Sequence, residues 1–411
     1  MIRNLGKKEF RRLDIIIGLL LGTIIIGGIL TITHAIESGY HFVDDHELIR
    51  IEQAVIKKVS FKDTLNQWLK IDMNVRFRPL YWLERIGMGY LFGCNLLAFN
   101  IWTTIKGIFA FTFLYVSARL MKYNRCISII FPMIIMLGPQ FTPWYRSANQ
   151  ESTGVLLCAA ALMVLAIQYH SKKYTSWIYN LILTVLSVLM GLVKESFTLF
   201  MLIVPILKMW LEYWDDTDIS CMNTNRKRRL IKIFKENALW YICILIAFIV
   251  NIYIILFYVG VDKVGYAGFH RDTGIMQYVM GIKSSLLYNM RYYTLLAGII
   301  VFMIILCLQL IEKHDIKKYL SLCVILTCAM AIQLIAHAKS GMWERYLFPY
   351  IIAYMLLVLI GYRIFENSYY RSVIYILLLV ALLWKTIPIA IENTQNYAES
   401  GEETQAFLNI F

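Results

Sequence analysis

The amino-acid sequence predicts an all-α, polytopic membrane protein, a class indicated by its composition and by the length of its apolar runs. Of the 411 residues, 59% are hydrophobic and 16% are charged, whereas soluble domains have about 45–50% and about 25%. Runs such as Ile15 to Ile32 and Leu239 to Gly260 approach the roughly 20 apolar residues that cross a bilayer core. A water-soluble enzyme is therefore nearly excluded, and we expect one integral membrane domain over residues 1–411.

Apolar runs and basic connectors together predict about eleven membrane-spanning helices. The first run is long and is followed by no evident small-residue cleavage site, so we expect it to be an anchor rather than a signal peptide. The predicted spans lie near residues 14–33, 101–119, 127–143, 152–169, 177–193, 196–211, 239–260, 292–311, 320–337, 347–362 and 373–390.

The distribution of basic residues predicts the orientation of these spans. Alternate connectors carry Lys or Arg, most densely at Arg226 to Arg229, and such connectors face the cytoplasm. We therefore expect a plasma (inner) membrane protein with a cytoplasmic N-terminus and an outer C-terminus. The net charge of +13 is explained by these connectors, so membrane lipids are expected partners and nucleic acid is not.

A long segment, residues 34–100, separates the first two predicted spans and forms the first outer loop. Its stretches 47–58, 61–71 and 79–92 place apolar residues at helical spacing with charges between them, the pattern of helices that lie on a membrane surface. We expect Tyr81 and Trp82 to be exposed there. A second outer segment, 261–291, contains several glycines and is a candidate mobile lid.

Ionisable residues near a membrane are costly to bury, and here they gather in the predicted outer segments. Asp44 and Asp45 are adjacent like charges. Such a pair is expected where a carboxylate must accept a proton or hold a metal ion. The other acids and bases of this face are either functional or simple interfacial ion pairs, and the sequence leaves both readings open.

The sequence contains no dedicated cofactor motif. His41, Asp44, Asp45, His46 and Glu47 could in principle ligate a divalent metal, but their spacing matches no known metal motif. A weakly held Mg or Mn ion that bridges a substrate phosphate stays open. Nucleotide hydrolysis and serine hydrolase chemistry are disfavoured because no glycine-rich phosphate loop and no G-x-S-x-G element occurs.

Four motifs follow one another on the predicted outer side: HFVDDHELI at 41–49, RFRPLYWLERIGMGYLFG at 76–93, GPQFTPWYRSANQE at 138–151 and AKSGMWERYLFPY at 338–350. In this order they resemble the GT-C superfamily of membrane glycosyltransferases. The resemblance is strongest to the branch that contains protein O-mannosyltransferases and the lipid A aminoarabinose transferase. It covers most of the chain as architecture and only these short motifs as sequence.

The resemblance implies a sugar donor carried on a polyprenyl phosphate and a lipid, glycan or protein acceptor at the outer face. It implies that Asp44 or Asp45 is the general base, with Asp44 preferred and Asp45 as an orienting residue or metal contact. Arg78 matches the family's residue that faces the lipid phosphate. Glu151 matches an acid after the third span, although Asn-Gln-Glu replaces a clean Asp here.

The required chemistry agrees with these residue types. Transfer needs a base for the attacking hydroxyl and cations for the departing phosphate, which arginine binds in a bidentate manner. We expect inversion at the anomeric carbon. The candidates for donor-phosphate binding are Arg78, Arg345, Arg146 and Lys194, and those for other substrate contacts are Glu151, His46, Trp144, Tyr346 and Glu195.

Three other functions stay open at the level of sequence. A transporter or flippase would also have many spans, but such folds usually show repeated halves and charges near the midplane. A lipid-linked glycan polymerase or ligase usually carries its large outer loop late in the chain. A non-catalytic scaffold would tolerate the loss of both Asp44 and Asp45.

Overall fold

The computed structural model describes residues 10, 12–41, 45–147, 149–215, 226–260, 274–291, 316–338, 346, 348–365 and 368–409. Within these ranges the chain consists of helices and short connectors, without a β-strand. In chain order the helices are α1 Arg12–Ile32, α2 His46–Ile56, α3 Phe61–Asp72, α4 Pro79–Phe92, α5 Leu96–Leu120, α6 Arg125–Met136, α7 Thr142–Tyr145, α8 Glu151–Ser171, α9 Trp177–Val193, α10 Glu195–Tyr213, α11 Arg226–Tyr253, α12 Ile275–Arg291, α13 Ile316–His337, α14 Phe348–Phe365 and α15 Tyr369–Leu408.

Seven of the described helices are long and apolar enough to cross a membrane: α1, α5, α8, α10, α11, α13 and α15. The bent pair that begins with α6 would be an eighth, while α9 and α14 are apolar but shorter. These are the features of a multi-pass membrane protein, as the composition predicts. The predicted span at 292–311 lies outside the described residues, and the total of eleven stays a prediction.

Helix α5 lies at the centre of the bundle and packs against α1, α6 and α8. Contacts between connectors give the bundle two distinct ends. At one end Lys172 pairs with Asp215 and Arg363 donates to the Met121 carbonyl; at the other, Lys194 pairs with Glu151. The connectors joined in each case are ones that the charge pattern assigns to the same side of the membrane. We call the two ends, after that predicted orientation, the inner end and the outer end.

The span predicted at 127–143 is bent rather than straight. After α6, the segment Pro139–Tyr145 is inclined by 76°, and Gly138 between them has a φ of 130°, a conformation that favours glycine. The Gln140 side-chain amide donates to the Ile134 carbonyl at 2.9 Å, which satisfies a group freed by the break. The bend turns the chain across the outer end of the bundle.

Helices α2, α3 and α4 form a layer over the outer end and confirm the three helices predicted in the first outer loop. Pro79 starts α4 at the position where its missing N–H costs nothing. The expectation that Tyr81 and Trp82 are exposed is wrong, since they are 7% and 2% exposed. Trp82 stacks on Trp68 with 4.5 Å between ring centroids, because α3 packs directly on α4 and encloses the aromatic rings.

Two other elements differ from the predicted layout. The second half of the predicted outer segment 261–291 is helix α12, while residues 261–273 lie outside the described part of the chain. Helix α15 does not end near residue 390 but continues for 40 residues to Leu408. At about 1.5 Å per residue it is roughly 60 Å long, about twice the thickness of a bilayer core. Its last turns therefore project from the outer end.

Candidate substrate site at the outer end

A buried ion pair between Lys194 and Glu151 forms the centre of the outer-end site. Lys194 lies between α9 and α10, Glu151 is the first residue of α8, and the Nζ to Oε1 distance is 2.5 Å. Their side chains are 3% and 1% exposed. Burial lowers the pKa of Lys194 to about 8, although the charge of Glu151 opposes that shift. The ammonium is thus charged at neutral pH, but it loses its proton at a lower pH than an ordinary lysine does.

Arg78 approaches the same centre from the outer layer. Its Nε and Nη2 donate to the Asp72 carboxylate, with Nη2 to Oδ1 at 2.5 Å. Burial opposes its charge, but Asp72 more than compensates and holds the pKa of Arg78 above its ordinary value. With its amide oxygen directed toward the cations, Gln150 accepts from Arg78 Nη1 at 3.3 Å and from Lys194 Nζ at 3.2 Å. One amide therefore joins two cations held by two different carboxylates.

Tyr346 covers the ion pair from the α13–α14 side. The Lys194 ammonium lies 3.8 Å from the centre of the Tyr346 ring, a cation–π contact. The ring also stacks on His337, the last residue of α13, at 5.7 Å, and the Tyr346 carbonyl accepts from Gln333 at 3.0 Å. Tyr346 is only 1% exposed, so it excludes water from the Lys194 side chain.

The projecting end of α15 closes another side of the site. Tyr397 stacks on His41 at 3.6 Å, and the Arg146 guanidinium lies 5.3 Å from the same ring. The approach is close because Gly401 faces Gly39: a Cβ at Gly39 would lie 2.8 Å from the Gly401 carbonyl oxygen. Burial, followed by the charge of Arg146, lowers the pKa of His41 to about 4. His41 is therefore neutral at physiological pH.

Several buried polar side-chain atoms at the outer-end site have unsatisfied hydrogen-bonding capacity. Among the described residues, Arg146 Nε, Glu195 Oε2 and His337 Nδ1 are buried without a hydrogen-bond partner. Glu195 lies near enough to act on both Arg78 and Lys194. Buried polar groups normally have partners, so these atoms are suited to contacts with a bound substrate.

A second, partly buried ion pair connects the outer layer to the bundle. Lys106 of α5 donates to Glu84 of α4 at 2.6 Å, and the indole of Trp102 donates to the same carboxylate at 2.7 Å. Thr153 of α8 donates to the other Glu84 oxygen at 2.5 Å. This network fixes the outer layer onto the bundle. Sequence reasoning missed it, because no local spacing links residues 84, 106 and 153.

The structure brings five of the predicted site residues close together in space, and a sixth is linked to them along the chain. Arg78, Lys194, Glu151, Glu195 and Tyr346 share the central cluster, and Arg146 is joined to it by the short connector before α8. Gln150, Asp72, His337 and Tyr397 were not predicted. Of these, only Gln150 lies within a quoted motif and could have been identified from it.

The remaining predicted residues lie elsewhere or outside the described residues. Asp45 is 3% exposed and accepts from the His41 backbone N–H at 2.9 Å, while His46 is exposed. Trp144 is 1% exposed in the apolar core, packed edge-on against Phe348. Asp44 and Arg345 lie outside the described residues. Within the described ranges, no three His, Cys, Asp or Glu side chains form a metal-binding group.

No family model, no curated protein and no solved structure matches the chain. The likeness to GT-C glycosyltransferases therefore stays a prediction from the motifs.

Proposed function

We propose that the protein is a membrane glycosyltransferase that moves a sugar from a polyprenyl-phosphate donor to an acceptor hydroxyl at the outer face. The observation that carries the proposal is the convergence of Arg78 and Lys194 on Gln150. Lys194 is buried and the Arg78 side chain is 12% exposed, and the polar atoms around them include several without partners among the described residues. A lipid phosphate is the anion that reaches such a place.

The cation cluster fits a phosphate leaving group. Each cation already has one carboxylate, so the cluster is organised before substrate arrives, and a phosphate would be held there by directed hydrogen bonds from the guanidinium and the ammonium. Arg78 presents a planar guanidinium, whose remaining donors suit phosphate oxygens. In the proposed reaction the acceptor oxygen bonds to the anomeric carbon, the bond from that carbon to the phosphate oxygen breaks, and its electron pair leaves with the polyprenyl phosphate.

The proton of the acceptor hydroxyl passes to a carboxylate, which we assign to Asp44 or Asp45. Asp45 lies just before α2, and its carboxylate accepts from the backbone N–H of His41, whose ring stacks on Tyr397. This supports Asp45 as the orienting residue, and the proposal then assigns the base to Asp44. A divalent ion on the donor phosphate stays an open alternative, and no step above requires one.

The experiment is sugar transfer by purified protein from a panel of radiolabelled polyprenyl-phosphate hexoses and pentoses to a membrane extract. We expect product from one donor class with the wild type and none with the double variant Asp44→Asn/Asp45→Asn. The double variant Asp63→Asn/Glu402→Asn, at exposed positions, is the control. Intact transfer by a folded Asp44→Asn/Asp45→Asn protein would refute the base assignment.

One observation favours a transporter or flippase as the second candidate. Buried polar residues follow α9 and α11 across the bundle: Asn180 donates to Asn237 at 3.1 Å near the inner end. Farther along, Ser187 and Asn251 are buried with polar atoms that have no partner among the described residues. A polar path through a bundle is typical of transporters.

The variant Ser187→Ala/Asn251→Leu separates the two candidates. A transporter should lose flux of a labelled lipid-linked sugar across proteoliposomes, because the polar path is interrupted. A transferase should keep product formation when donor and acceptor are supplied together in detergent. Loss of flux with no transfer activity in the wild type would favour the second candidate.

A further inference from the structure

A cavity of about 530 Å³ opens at the inner end, opposite the site described above. It lies between α5, α6, α8, α10, α13 and α14, within the usual size range of small-molecule sites, about 300–1,000 Å³. The proposed transferase reaction does not use it.

The walls of the cavity are mostly apolar and reach well into the bundle. On α8 the lining extends from Leu162 to Tyr169, and on α14 from Leu356 to Arg363. At 1.5 Å per residue each of these stretches covers roughly 10 Å along its helix. The cavity is therefore deep enough for a hydrocarbon chain to enter rather than only touch its mouth.

Three cations stand at the mouth of the cavity: Lys122, Lys318 and Arg363. Lys318 donates to the Trp214 carbonyl at 3.2 Å and Arg363 to the Met121 carbonyl, so both ammonium and guanidinium are held at the rim. Lys122 is exposed and has a φ of 64°. The lining residues, all of them in the described part of the chain, include no Asp or Glu.

A positively charged mouth together with mostly apolar walls matches one class of ligand. A lipid with a phosphate headgroup puts its charge among the cations and its chain in the cavity, whereas a zwitterionic headgroup would bring a cation to the same rim. Basic pockets between helices on the cytoplasmic side recognise anionic headgroups in this way. A free sugar phosphate would leave the apolar walls unused.

We propose that this cavity binds an anionic phospholipid from the leaflet that faces the inner end, with its phosphate between Lys122, Lys318 and Arg363. The site is separate from the outer-end cluster. Lipid bound there would stabilise the folded bundle in membranes that are rich in anionic lipid.

The test is photo-crosslinking of the purified full-length protein in nanodiscs that contain a diazirine-tailed phosphatidylglycerol, with labelled peptides identified by mass spectrometry. We expect labels on the segments 207–214 and 356–363, and little labelling there by phosphatidylcholine with the same tail. The variant Lys122→Glu should reduce this labelling about fivefold or more, since a cation close to an anionic headgroup contributes about that factor.

The matched control is Lys173→Glu, which reverses an exposed lysine at the same end that does not line the cavity. It should leave the labelling unchanged. Equal labelling by phosphatidylcholine, or an equal effect of both charge reversals, would overturn the proposal. So would displacement of the probe by polyprenyl phosphate more readily than by unlabelled phosphatidylglycerol. Sugar transfer at the outer end is a different measurement, so failure here leaves that proposal to its own test.

Discussion

Lys194 Nζ lies 2.5 Å from Glu151 Oε1 and 3.8 Å from the centre of the Tyr346 ring. This arrangement joins the start of α8, the α9–α10 junction and the residues before α14 at one buried point. A buried ion pair adds little to stability by itself, because desolvation offsets the attraction. The pair instead holds Lys194, whose charge depends on pH near 8, close to Arg78.

The first prediction concerns Arg78. Replacing it with Ala removes a bidentate donor, and we expect the apparent KM for the polyprenyl-phosphate donor to rise about 10- to 100-fold, the loss of a charge-assisted contact. Steady-state transfer kinetics with varied donor provide the measurement. Arg50→Ala, at an exposed position on α2, is the control. An unchanged donor KM in Arg78→Ala would contradict the phosphate role.

The second prediction is an alkaline limit on donor binding. Because burial lowers the pKa of Lys194 to about 8, its positive charge is lost as pH rises through that value, and donor affinity should fall with it. Lys194→Arg should keep the charge and remove this fall. Glu151→Gln should move the fall to lower pH, because the Glu151 charge supports the protonated ammonium.

Donor affinity measured from pH 6.5 to 9.5 checks this prediction. Glu402→Gln, on the exposed face of α15, is the control for Glu151→Gln. A wild-type profile that is flat through pH 8, or one that Glu151→Gln leaves in place, would show that Lys194 does not act on the donor.

The third prediction concerns the packing that positions Lys194. An added Cβ at Gly154 of α8 would overlap the Phe197 ring of α10, and Phe197 lies three residues after Lys194. Gly154→Val should therefore push the start of α10 away from α8 and separate Lys194 from Glu151. We expect transfer to fall while the purified protein stays helical by circular dichroism. Gly87→Val, where a Cβ meets open space, is the control, and equal losses in both variants would argue against this role of Gly154.

The fourth prediction concerns stability at the inner end. Asp14 accepts from Arg119 Nε at 3.2 Å, with both side chains at most 1% exposed. Asp14→Asn leaves the Arg119 charge buried without its carboxylate, which should cost about 3–5 kcal/mol. Unfolding by SDS in mixed micelles measures the loss. Asp63→Asn, on the exposed surface of α3, should change stability by less than about 1 kcal/mol, and an equally small effect of Asp14→Asn would contradict the prediction.

Much of the fold was predictable because its signals are local. Apolar runs gave the described spans, and helical spacing gave α2, α3 and α4 within a few residues. The burial of Trp82 was not predictable, since it depends on α3 packing against α4. The bend after α6 has a local signal in Gly138 and Pro139, but an apolar run alone does not reveal it.

The site was predictable as a set of residue types but not as a set of contacts. Motif order identified Arg78 and Glu151, and the charges of the predicted outer loops identified Lys194, whereas their connection through Gln150 depends on three elements meeting. Tyr397 could not be found from sequence, because the tail after residue 390 carries no apolar run. Its position follows from the continuation of α15 and from the close approach of Gly39 and Gly401.

The most direct test of the central claim is to locate the donor phosphate. A polyprenyl phosphate with a photoreactive group next to its phosphate should label the outer-end segments 72–82, 146–151 and 194–198. Excess unlabelled polyprenyl-phosphate sugar should suppress that labelling, and Arg78→Ala should weaken it. Labelling confined to the path between α9 and α11, or to the inner end, would contradict the account.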